Sequence, residues 1–89
     1  MKVKDVKIGE IFRIDNTFVR PKLKLKQGYI DMASQIIWVC REEVEAEILI
    51  DTQIAMIRGK WGITMEEFER HKRMLIKKYI KEEINNEAR

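Results

Sequence analysis

Phe18-Val19-Arg20-Pro21-Lys22-Leu23-Lys24-Leu25-Lys26 alternates over its whole length. Val19, Pro21, Leu23 and Leu25 fall on one face of an extended chain, and Arg20, Lys22, Lys24 and Lys26 fall on the other. Period 2 is the pattern of a strand with one apolar and one polar face, so this stretch makes the first part of the molecule β. Pro21 has no N–H to give to a ladder, which predicts an edge strand or a bulge at that point. Gln27-Gly28 then reads as a tight hairpin turn, with Gly28 supplying the positive φ that such turns need. Tyr29-Ile30-Asp31-Met32 is the short return strand.

Working outward, residues 10–15 (Glu-Ile-Phe-Arg-Ile-Asp) are β-branched and aromatic, with Gly9 before them and Asp15-Asn16 after, and they read as a first strand. Residues 36–40 (Ile-Ile-Trp-Val-Cys) form an unbroken apolar run, consistent with a buried strand. Residues 44–50 alternate again and read as strand over the competing helix, and residues 53–58 fit either a last strand or a short helical turn. Gly59-Lys60-Trp61-Gly62 reads as a short loop. Thr64 and Glu67 have the spacing of a capping box, with Ile63 and Phe68 placed as a hydrophobic staple, so a helix starts at Met65 and runs to about Glu83. Its apolar stripe holds Met65, Phe68, Leu75, Ile76 and Tyr79. Pairs at i,i+4, Glu66 with Arg70 and Glu69 with Arg73, flank it.

The resulting expectation is an α+β fold: five or six short antiparallel strands, open or curled into a small barrel, followed by one long C-terminal helix. The 89 residues suit a single domain, mainly β over 1–58 and helical over 64–84.

Charge is plentiful and unevenly laid out. Charged residues make up 37% of the chain, and the net charge of +3 divides into about +5 over residues 1–28, −4 over 29–58 and +2 over 59–89. Such a layout suits polar partner binding or head-to-tail self-association. One cysteine excludes an internal disulfide, and one histidine excludes a site that needs two. No apolar leader opens the chain and the run at 36–40 is too short to cross a bilayer, so the expected location is cytoplasmic, away from membranes.

The basic row Arg20, Lys22, Lys24, Lys26 is the first candidate site. Alternate strand residues lie about 6.6 Å apart, comparable to the phosphates of an extended single strand, and Tyr29, Phe18 or Trp38 would stack on bases. The same row equally serves as the solvated face of an edge strand protected by lysines. Arg70, Arg73, Lys77 and Lys81 form a second basic strip, on the helix face opposite its apolar stripe. It too has a plain reading, as a solvent-facing helix surface.

Other residues suit a protein partner. Trp61 serves either as an exposed anchor or as a plug of the core. Lys72 and Glu83 interrupt the apolar stripe, either by snorkelling or because another chain meets the helix there. Glu45 and Glu47 share a strand side, but no third carboxylate and lysine complete a metal nuclease. Cys40 reads as a small buried hydrophobe and His71 as a boundary residue, without the company nucleophilic catalysis requires. No phosphate-binding glycine loop is present.

The opening Val6-Lys7-Ile8-Gly9-Glu10-Ile11-Phe12-Arg13, with Gly28-Tyr29-Ile30-Asp31 further on, resembles the start of small uncharacterised accessory proteins of phage and prophage genomes. The resemblance covers the first third of the chain. It implies a small-barrel fold and a bacterial or viral cytoplasm, and it carries no active residues across.

The first expectation is therefore a non-enzymatic binding protein, with no cofactor, metal or small-molecule substrate, whose basic strand face contacts nucleic-acid phosphates. The alternative is a protein-interaction module, either a homodimer or a small phage-type inhibitor or adaptor of a host protein.

Overall fold

The computed structural model describes residues 1–14 and 17–81. Two strands, β1 (Ile11–Ile14) and β2 (Thr17–Lys24), form an antiparallel pair with Ile11 opposite Leu23 and Phe12 opposite Lys22. The hairpin at Gly28, whose φ is +72°, returns the chain as β3 (Tyr29–Asp31). Two short strands follow, β4 (Ile37–Trp38) and β5 (Ala46–Ile48), and the five make one antiparallel sheet in the order β4-β3-β2-β1-β5. The two ends of that order do not meet. The sheet is open, which corrects the expectation of a barrel, including the one the phage-protein resemblance implied.

β2 therefore lies in the middle of the sheet and is no edge strand. Pro21 is accommodated by the other predicted route, an irregularity. The β1–β2 register shifts between the pairs Phe12–Lys22 and Ile14–Thr17, and the Pro21 carbonyl accepts a hydrogen bond from the Met32 N–H at 3.0 Å.

Both faces of the sheet are covered. On one, Ile11, Leu23, Ile30 and Met32 pack against Ile57, Phe68 and Leu75 from two helices. On the other, Phe12, Ile14, Tyr29 and Ala46 pack against Val3 and Val6 of the N-terminal segment. The Phe12 and Tyr29 rings meet edge-on at 5.5 Å. Each such fully buried side chain contributes about 1.5–3 kcal/mol.

The expected single C-terminal helix is in fact two. α1 (Asp51–Trp61) takes residues read as strand-or-turn and loop, so the β part of the chain ends before 51. Only Ile57 in it is fully buried while Met56 is exposed, so its sequence shows no wide apolar stripe. Gly62, at φ +68°, closes it with a left-handed cap. α2 (Met65–Ile76) starts where the capping box places it. The Glu67 N–H donates to Thr64 Oγ1 at 3.1 Å, and the Thr64 N–H donates to Glu67 Oε1 at 3.0 Å. A π-helical turn, Lys77–Lys81, continues it. Among the described residues no helix is long and apolar enough to cross a membrane.

Candidate interaction surfaces

The strand alternation holds as far as Lys24, where β2 ends, and its polar side does not face water as one ridge. Register puts Lys22 beside Phe12 and Asp31, and Lys24 beside Tyr29, on the sheet face that the N-terminal segment covers. Lys24 is only 4% exposed; its ammonium donates to the Leu25 carbonyl at 3.1 Å and lies 3.7 Å from Glu42. Lys22 is held at 3.0 Å from Asp31 and donates to the Arg20 carbonyl at 2.8 Å. Arg20 is exposed, and Lys26 lies past the end of β2 in the turn. The expected four-cation ridge is thus split, and its two middle members are neutralised by carboxylates from other segments.

Tyr29, expected to stack on bases, is 1% exposed and committed to Phe12. Trp38 is exposed, with the Arg41 guanidinium 4.5 Å above its ring, and the Phe18 side chain lies outside the described residues. Arg20, Lys22, Arg41 and Trp38 border a hollow of about 260 Å³. Arg41 was not singled out in the sequence, because nothing local ties it to Lys22.

Asp31 organises this corner. Its Oδ1 accepts from the N–H groups of Ala33 at 2.9 Å and Ser34 at 3.0 Å, its Oδ2 from Lys22. Burial pushes the carboxyl upward, but the Ser34 N–H, the Lys22 ammonium and the Ala33 N–H outweigh it and hold it below its ordinary value. The turn fixed in this way leads directly into β4.

The two edges of the sheet differ. At the β5 end the chain's first residues cover the backbone from Glu42 to Ala46. The N–H of Val3 donates to the Val44 carbonyl at 2.9 Å, Lys4 N–H to Glu42 at 3.1 Å, and Ala46 N–H to the Met1 carbonyl at 2.8 Å. Lys2 and Lys4 clasp Glu43 at 2.8 and 2.9 Å. Those two ammonium groups pull the Glu43 carboxyl down to about 2. At the other end, among the described residues, β4 is paired with β3 alone. The run expected to be buried there is exposed throughout: Ile36 is 52% exposed, Val39 57%, and Ile37, Trp38 and Cys40 are exposed as well. This corrects the reading of Cys40 as a buried hydrophobe.

A third surface lies between the turn after β3 and the α1–α2 junction. Met32, Trp61, Ile63, His71 and Met74 line an open cleft of about 680 Å³. Trp61 is half-buried, tilted on Phe68 with ring centroids 5.9 Å apart, so it is both a core contact and a cleft wall. His71 Nε2 donates to the Met32 carbonyl at 2.6 Å, which fixes that nitrogen as the protonated one. Arg70, Arg73, Lys77 and Lys78 line a smaller depression of about 410 Å³ beside it, sharing Arg70 and Met74 with the cleft. None of the four cations forms an ion pair among the described residues, so the expected Glu66–Arg70 and Glu69–Arg73 pairs are not made. Lys72 is half-buried on the core side of α2. The Lys81 side chain and Glu83 lie outside the described residues.

Glu45 and Glu47 do not cooperate. Glu47 pairs with Arg13, and Glu45 lies 3.7 Å from the N-terminal ammonium. Among the described residues no group of three or more His, Cys, Asp or Glu side chains is placed to hold a metal ion. No family model matches the chain, and no curated protein or solved structure matches it significantly.

Proposed function

We propose that this chain is a small non-enzymatic protein-interaction module that pairs with a second copy of itself along β4. One observation carries the reading: Ile36 to Cys40 are all exposed, and at their centre the two-residue strand β4 pairs with β3 and has no strand beyond it among the described residues. An open, uncharged, apolar edge is a template for another strand.

Charge around the run favours a second copy in antiparallel sense. Ser34-Gln35 precede it and Arg41-Glu42 follow it. Parallel pairing would set Arg41 on Arg41 and Glu42 on Glu42, whereas antiparallel pairing sets the uncharged flank against the charged one. With residues 1–4 covering Glu42 to Ala46 at the β5 end, β4 is the more open edge of each copy, so assembly through it closes as a two-fold dimer. Ile36, Ile37, Trp38 and Val39 are each about half-exposed, and burying what remains returns about 1 kcal/mol apiece. Summed over two copies, that is of the order of the association cost, about 4–15 kcal/mol, so the dimer is concentration-dependent.

Light scattering during size exclusion tests this. The chain should elute as a two-chain species at high concentration, and Val39→Glu should hold it monomeric with its circular dichroism unchanged. A monomer at every concentration, or a Val39→Glu dimer, refutes the reading.

Nucleic-acid contact is a second reading, supported by the hollow where Arg20, Lys22 and Arg41 surround Trp38. A base would stack on Trp38 while Arg20 and Arg41 meet phosphates. Retention on single-stranded DNA resin that is lost in Arg20→Glu/Arg41→Glu would establish it. No retention of the unmodified chain would remove it.

A further inference from the structure

The cleft at the α1–α2 junction lies apart from the β4 edge and needs its own account. It has an apolar floor and one basic bank. Met32, Trp61, Ile63 and Met74 supply the floor, within a volume that holds several apolar side chains. Trp61 is steadied by Phe68, and the Met32 backbone is tied to α2 through His71, so both walls are pre-formed. Met74 is 41% exposed and is of the residue type that adapts its shape to a partner.

The bank is α2 and the turn after it. Arg70, Arg73 and Lys77 are spaced i, i+3 and i+7, which sets them along one side of the helix over about 10 Å. They and Lys78 have no carboxylate partner within ion-pair distance among the described residues. Glu67, the acidic residue at the cleft, is engaged: its carboxylate accepts from the Thr64 N–H, and that hydrogen bond, with the Thr64 hydroxyl and the nearby Arg70 charge, lowers its titration.

From this juxtaposition we infer that the cleft binds an acidic amphipathic helix of a partner protein. Its apolar residues enter between Met32, Trp61 and Met74, and its carboxylates meet Arg70, Arg73, Lys77 and Lys78. A lone apolar carboxylate would engage one cation and leave the rest of the line unused. A phosphate backbone would use the cations and leave the apolar floor empty. An amphipathic helix repeats apolar and acidic positions at the same 3- and 4-residue spacing as α2, so it satisfies both.

A fluorescent designed peptide of about four helical turns, with Leu on one stripe and Glu on the next, tests the inference against the full chain. Its controls are the same peptide with Lys replacing every Glu, and a single-stranded oligonucleotide. The acidic peptide should bind saturably and the basic one should not. Arg70→Glu/Arg73→Glu should weaken binding about tenfold or more, since charge-assisted contacts are lost and reversed. Met74→Lys should weaken it through the floor, and both variants should keep the parent circular dichroism. Val39→Glu should bind the peptide as the parent does, so failure of β4 pairing and failure of the cleft are separable. Equal binding of both peptides, absence of acidic-peptide binding, or an oligonucleotide that binds where the acidic peptide does not, would overturn it.

Discussion

The two edges of this sheet are built from opposite materials. At the β5 end the chain folds its first residues along Glu42 to Ala46 with three backbone hydrogen bonds, and sets Lys2 and Lys4 on Glu43. At β4 it leaves an apolar run in the open. A protein that only needed to stay monomeric would have to guard both. Guarding one would limit growth to a pair, and the proposed pairing rests on that asymmetry.

The strongest way to break the comparison is to unseal the guarded edge. Deleting residues 1–5 removes fully buried Val3 and three backbone hydrogen bonds, a loss of about 4 kcal/mol. It also leaves two free edges. Denaturant unfolding should show the loss, and sedimentation velocity should show open-ended aggregates in place of a closed pair.

Next in size is Asp31, which shapes the approach to β4. Asp31→Asn removes the partner of the Lys22 ammonium, whose side chain is only 13% exposed, at a cost of about 3 kcal/mol. The folded carboxyl titrates below its ordinary value of 3.8, so its stabilisation is complete above that pH and fades as pH falls through the lower folded value. Stability of the parent should therefore drop on acidification below about pH 4, and the gap between parent and Asp31→Asn should narrow over the same range.

The sequence made much of this legible, and where it misled, the cause was remote. The capping box of Thr64 and Glu67 is local, so it could be read from spacing. The hairpin at Gly28 and the apolar side of β2 were equally plain. The fate of Lys22 and Lys24 was not, because the carboxylates that neutralise them, Asp31 and Glu42, come from other segments. α1 escaped because it buries few residues and sends Met56 into water. Ile36 to Cys40 looked like core for the ordinary reason that apolar runs are buried. Composition cannot say whether the burying surface belongs to the same chain.

A smaller effect sharpens the comparison at the open edge. Ile37→Lys should change folding stability by no more than about 0.5 kcal/mol, since the site is on the surface, while abolishing self-association. Denaturant melts and light scattering on one sample separate the two. The smallest effect belongs to the ion cluster of the sealed edge. Lys2, Lys4 and Glu43 are exposed and screened, so Glu43→Gln should alter the melt only slightly near neutral pH. With the folded carboxyl at about 2 against an ordinary 4.5, any difference from the parent should shrink between those values and vanish below them.

Hydrogen exchange followed at low and high protein concentration tests the difference between the edges most directly. Amides of residues 36–40 should exchange fast in dilute solution and slow as concentration rises, while those of residues 43–48 keep the same protection throughout. Exchange over 36–40 that ignores concentration, or slowing that appears at 43–48 instead, would contradict the account.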